Sequence, residues 1–143
     1  MLRGGYREDD GQVSKIARAA LIARGYAEML RFGLARGGRA ETLAGLCGLG
    51  DLVLTCSSTS SRNFSLGKAL GEGMSAAEAL AGKNSVAEGA HTAPVLAELA
   101  TRDGIAMPIV VAVTRLLAGE ASARDVVGEL LARPLKAEGT SPA

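Results

Sequence analysis

Tryptophan is absent from the 143 residues and other aromatic side chains are scarce, being limited to Tyr6, Tyr26, Phe32 and Phe64. A core made by this chain must be aliphatic, with small residues packing helices closely. So few rings leave no platform on which nucleic-acid bases could stack. Charge excludes the same partner, because 16 basic residues are balanced by 15 acidic ones and are scattered along the chain. No nucleic-acid partner is expected.

Histidine occurs once, as His91, and cysteine twice, as Cys47 and Cys56. The cysteines are too far apart for a CxxC pair and lack the further ligands that zinc requires, so they are expected to be reduced thiols and no metal is expected. Long apolar runs are missing too. Nothing approaches the roughly 20 residues that cross a bilayer, and the opening MLRGGYREDDGQ has no apolar signal core. The expectation is a cytoplasmic chain without a membrane span.

What is present is helical patterning. A chain of 143 residues fits one domain and can bury roughly two-thirds of its unfolded surface. Residues 1–13 are charged, Gly-rich and aperiodic, and read as a flexible extension. From Ser14 to about Arg36, Ile16, Ala20, Ala23, Ala27, Leu30 and Leu34 recur at helical spacing, with Arg18, Arg24, Glu28 and Arg31 mostly off that stripe. This predicts a long amphipathic helix stopped by Gly37 and Gly38.

Short helices are expected over Glu41–Cys47 and Asp51–Cys56, with the glycines of GLCGLG allowing close packing and a tight turn between them. Those glycines do not follow the order of a dinucleotide fingerprint and no strand precedes them. Ser61 starts a helix running to about Leu70, and Ser75 with Glu78 forms a capping box for another. Further helices are expected from about Ala90 to Arg102, from Pro108, and from Ser122 to Pro134. No stretch alternates convincingly at period two, so the fold class is all-α, with a helical domain over 14–136 and a flexible tail over 137–143.

The segment LGDLVLTCSSTSSRNFSLG, Leu49 to Gly67, has the composition of a binding site. Arg62 offers a fork suited to phosphate or carboxylate. Asn63 is both donor and acceptor, and Ser61 can cap a helix whose free N–H groups favour an anion. Asp51, when ionised, only accepts hydrogen bonds and so suits hydroxyls. A small phosphorylated polyol is the ligand this set predicts. Thr55 can equally be a helix residue bonding its own backbone. His91 has a pKa suited to general-base work, but no carboxylate or cysteine pattern gives it a partner, and it is taken as structural.

GLGDLVLTC, followed by SRN and by Gly67 six residues after Ser61, closely resembles the substrate-binding core of bacterial NAD(P)-dependent glycerol-3-phosphate dehydrogenases. ARAALIARG (Ala17–Gly25), VAEG (Val86–Gly89) and Met107–Pro108 match in the same order. The resemblance runs from about Ile16 nearly to the C-terminus. It implies the C-terminal helical domain of 6-phosphogluconate-dehydrogenase-like enzymes. It also implies that Asp51, Ser61, Arg62 and Asn63 bind glycerol 3-phosphate, with Arg62 reaching the dinucleotide as well. Thr55 would steady the catalytic lysine, and Val86 and Glu88 would touch the NAD or NADP cofactor.

Two parts of the family pattern have no counterpart in these residues: the dinucleotide-binding domain and the general acid/base lysine. Lys15 falls where the family has a different helix start, so it is taken as a surface residue and residues 1–15 as foreign to the family pattern. The expected function is the substrate-binding domain of an enzyme converting dihydroxyacetone phosphate to sn-glycerol 3-phosphate, inactive alone and forming homo-oligomers through exposed apolar surface. The alternative is a non-catalytic helical relic or oligomerisation module.

Overall fold

The computed structural model describes residues 8–58, 60–81 and 87–134, with only the backbone described over 8–14. Every regular element among them is helical, as the missing two-residue alternation predicts. They are α1 (Glu8–Ala35), α2 (Ala40–Leu43), a π-helical turn (Leu46–Gly50), α3 (Asp51–Ser57), α4 (Arg62–Gly71), α5 (Ala76–Leu80), α6 (Glu88–Arg102), α7 (Pro108–Leu117) and α8 (Ala123–Ala132). Helix α1 begins at Glu8, not Ser14. Residues 1–7 of the expected extension and the tail 137–143 lie outside the described residues.

Local signals place most boundaries. Gly37 follows α1 with φ +81, a conformation that side chains bearing a Cβ rarely adopt. Ser75 and Glu78 form the reciprocal capping box ahead of α5, the Ser122 hydroxyl accepts from the Asp125 N–H to open α8, and Pro108 takes the first turn of α7. The core is thin and aliphatic, in two groups. Leu66, Leu70, Ala79 and Ala87 join α4, α5 and the start of α6. Ala112, Val126 and Leu130 join α7 to α8, with Leu21 of α1 packed on them. Leu116 of α7 touches both groups.

Helix α1 does not dock through the stripe that its apolar spacing suggests. Ile16 is 63% exposed and Leu34 48% exposed. The face turned to the rest of the molecule carries Leu21, Arg24, Glu28 and Arg31, three of which the sequence reading set on the polar side. Each of the three meets a backbone group. Glu28, only 3% exposed, accepts from the N–H groups of Ile109 and Val110, which open α7 and have no partner within it. Arg24 donates to the carbonyls of Leu130 and Arg133 at the end of α8, and Arg31 Nε donates to the Ala106 carbonyl at 2.9 Å. Acid thus meets a helix N-terminus and base a helix C-terminus, the signs that the helix dipoles favour.

Candidate functional site

The site begins at the glycines before α3. Gly48 lies so close to the preceding helix that a Cβ would sit 2.0 Å from the Leu43 carbonyl oxygen. Only glycine allows that approach, and the chain then turns directly into α3. This bears out the packing role expected for GLCGLG. Asp51 is the first residue of α3 and exposed, and it continues the helical backbone of the π-helical turn, its N–H donating to the Leu46 and Gly48 carbonyls. Thr55 is one turn further along the same face and half-buried. Cys56 is half-buried as well, and burial pushes its thiol pKa up against the opposing influence of Arg18. Both cysteines are free.

Helix α4, packed against α3, presents the SRN segment at its start. Ser61 is the N-cap, its hydroxyl accepting from the Phe64 N–H at 3.3 Å. Arg62 follows, exposed, with no ion pair or hydrogen bond among the described residues, leaving its fork free for an anion. Asn63, the next residue, reaches the VAEG segment. Its Oδ1 accepts from the Gly89 N–H at 3.0 Å, tying the start of α4 to the start of α6 across 26 residues. Glu88 is the first residue of α6 and exposed. Val86 lies outside the described residues.

The structure therefore links the SRN segment to the VAEG segment through Asn63 and places α3 alongside. It provides no hydrogen bond or ion pair between Asp51 and Arg62 or Asn63 among the described residues. Two open surface hollows, of about 480 and 360 Å³, lie along α7 and are lined by none of the predicted site residues. His91 is exposed on α6, and no three His, Cys, Asp or Glu side chains gather into a metal site among the described residues.

Sequence reasoning missed two residues beside the site. Arg18 of α1 lies over the Phe64 ring, 5.8 Å from its centroid, adding a second guanidinium near the start of α4. Gly89 provides the amide that holds Asn63. Arg18 stands in the ARAALIARG segment and Gly89 in VAEG, so both motifs were visible, but neither contact is encoded by local spacing.

Residues 9–128 match the family model described as the NAD-dependent glycerol-3-phosphate dehydrogenase C-terminus. The chain belongs to that family. The match starts at residue 9, which corrects, for residues 9–15, the expectation that residues 1–15 are foreign to the family pattern. A glycerol-3-phosphate dehydrogenase [NAD(P)+] of Erythrobacter litoralis is 74% identical over 127 residues, covering 89% of this chain and 38% of the relative. Its counterpart in Novosphingobium aromaticivorans is 71% identical over 122 residues, covering 85% of this chain and 37% of the relative.

The crystal structure of glycerol-3-phosphate dehydrogenase from Coxiella burnetii superposes with a TM-score of 0.81 at 43% identity, over 85% of this chain and 38% of that one. The chain is thus the C-terminal helical part of this NAD(P)-dependent family, and spans little more than a third of the length of the relatives it matches. Among the described residues no single helix is long and apolar enough to cross a membrane.

Proposed function

We propose that this chain is the substrate-positioning part of an NAD(P)-dependent glycerol-3-phosphate dehydrogenase, with Asp51, Ser61, Arg62 and Asn63 holding glycerol 3-phosphate or dihydroxyacetone phosphate. Arg62 grips the phosphate, Asn63 donates to it, and Asp51 accepts from hydroxyls at the other end. The observation that supports this is the Asn63–Gly89 hydrogen bond, which brings the SRN and VAEG segments side by side. The unpaired fork of Arg62 at a helix N-terminus adds the donor set an anion needs.

Those groups also fit an anionic dinucleotide, for which Arg62, Val86 and Glu88 are the proposed contacts. When bound, the nicotinamide supplies the hydride chemistry. The chain's own residues orient the ester so that its carbonyl carbon is correctly presented, an effect worth several kcal/mol of barrier in well-oriented reactions. No lysine among the matched residues takes the general acid/base role, and Thr55 supports the site without touching the reacting atoms. The 143-residue polypeptide is therefore expected to turn over negligibly by itself.

Thermal denaturation with and without glycerol 3-phosphate tests the binding reading. A saturating ligand at about 100 times its Kd stabilises a protein by ~2.7 kcal/mol, and Arg62→Ala should abolish the gain without lowering the melting temperature of the free chain. Wild-type chain that gains nothing from the ester would favour the helical-relic alternative. A separately expressed dinucleotide-binding domain added to the chain tests whether the two parts restore dihydroxyacetone-phosphate-dependent NADH oxidation.

A further inference from the structure

Asn63 is the proposed ligand-holding side chain whose hydrogen-bonding capacity is already half committed. An amide has two faces, and one that is free to rotate can offer a ligand either its oxygen or its NH2 group. Here the partner is a backbone N–H, which can pair only with the oxygen, so the contact from Gly89 fixes Oδ1 inward and leaves Nδ2 available. The fit is close. A Cβ on Gly89 would lie 3.0 Å from Oδ1, 3.1 Å from Cγ and 3.3 Å from Nδ2 of Asn63.

We propose that Gly89 is a positioning residue for the phosphate-ester site, its N–H locking the Asn63 amide so that only the NH2 group faces the ligand. This rests on the reading of the site given above. The consequence is a specificity rule: with Oδ1 turned to the Gly89 N–H, Asn63 presents its NH2 group to an acceptor, namely a phosphoryl oxygen. Phosphate therefore lies at the junction of α4 and α6, with Arg62 donating beside Asn63. The hydroxyl-bearing end is left to a carboxylate such as Asp51, which is acceptor-only. The backbone of Gly89 is in the ordinary helical range, so what glycine supplies there is room: a Cβ would make the Asn63 amide shift by a few tenths of an ångström.

Two variants separate positioning from simple helix capping. Gly89→Ala is compatible with α6, and alanine favours a helix over glycine, so the fold should persist while the added methyl displaces the Asn63 side chain. Asn63→Asp keeps an acceptor for the Gly89 N–H and adds a charge that suits the helix N-terminus, but removes the donor. Isotope-labelled chain reports the lock directly, through the scalar coupling between the Gly89 nitrogen and the Asn63 side-chain carbonyl carbon. Glycerol 3-phosphate and inorganic phosphate are then titrated into all three proteins.

The coupling is expected in wild type and in Asn63→Asp but weakened or lost in Gly89→Ala. Both variants should bind glycerol 3-phosphate and phosphate about ten-fold or more weakly, the loss expected for one hydrogen bond to a charged group, with melting temperatures at or above wild type. No coupling in wild type would overturn the lock whatever binds. Coupling with unchanged affinity in either variant would reduce the contact to a helix cap and overturn the positioning role. Wild type that shows the coupling but binds neither probe would refute the phosphate-ester reading, and the specificity rule with it.

Discussion

Glu28 gives the sharpest test of how this fold is held together. Its carboxylate is buried and satisfies the first two available N–H groups of α7, since Pro108 ahead of them has none. Glu28→Ala strips both half-buried donors of their acceptor, at ~1–3 kcal/mol each, and part of that loss is offset because a buried carboxylate no longer has to be desolvated. A net loss of about 3 kcal/mol is expected, which for a domain of this size lowers the melting temperature by roughly 10 °C. Glu28→Gln keeps the shape and one acceptor oxygen, so it should cost about 1–2 kcal/mol.

The pH dependence distinguishes the carboxylate from any generic packing loss. Burial raises the pKa of Glu28 above its ordinary value of 4.5, outweighing the N–H groups of Ile109 and Val110, which pull it down. A raised folded-state pKa means that the native protein holds this proton more tightly than the unfolded chain. The contribution of Glu28 is therefore greatest below about pH 4.5 and declines as pH rises through the folded pKa. Glutamine does not titrate. Thermal melts of wild type and Glu28→Gln from pH 4 to 8 should show a stability gap that is widest in acid and narrows towards neutrality. A gap that stays constant or widens with pH would mean that the two N–H bonds outweigh burial, and would refute the reasoning.

Other perturbations follow from the same contacts. Gly48→Ala forces a Cβ to within 2.0 Å of the Leu43 carbonyl, so the turn into α3 must open, and urea denaturation should show a loss of about 2–3 kcal/mol. Arg24→Met retains the aliphatic stem but frees the Leu130 and Arg133 carbonyls; amide exchange should quicken in the last turn of α8, with about 1–2 kcal/mol of stability lost. Leu46, Leu54 and Ile16 are 91%, 68% and 63% exposed, and association through exposed apolar side chains of this kind should give a dimer or larger species by light scattering. A monomer across a broad concentration range would count against the homo-oligomer expected from the sequence.

Much of the fold is legible because its signals are local. Ser75 with Glu78, Ser122, Pro108 and Gly37 each act within one helical turn, and each marks a boundary where it is found. The orientation of α1 is not local. Alanines at 20, 23 and 27 give weak apolar contrast, and nothing near Arg24 or Glu28 in the chain reveals that their partners lie 81 to 109 residues away. The same limit applies at the site. Ser61, Arg62 and Asn63 are recognisable by type and spacing, whereas the Gly89 amide that orients Asn63 becomes evident only when α4 and α6 are brought end to end.

One device recurs across the molecule: a polar side chain on one helix completes the exposed backbone at the end of another. Glu28 does this at the start of α7, Arg24 at the end of α8 and Asn63 at the start of α6. What separates scaffold from site is the capacity left over. The Glu28 carboxylate is enclosed and directed at two amides, so it has nothing to offer a ligand. Asn63 spends its oxygen on Gly89 and keeps an NH2 group beside the unpaired guanidinium of Arg62. Charge alone would rank Arg24, Glu28 and Arg62 together as candidates, while spare hydrogen-bonding valence selects Arg62 and Asn63. Substitutions at 24 and 28 should accordingly act on stability, and those at 62 and 63 on ligand affinity.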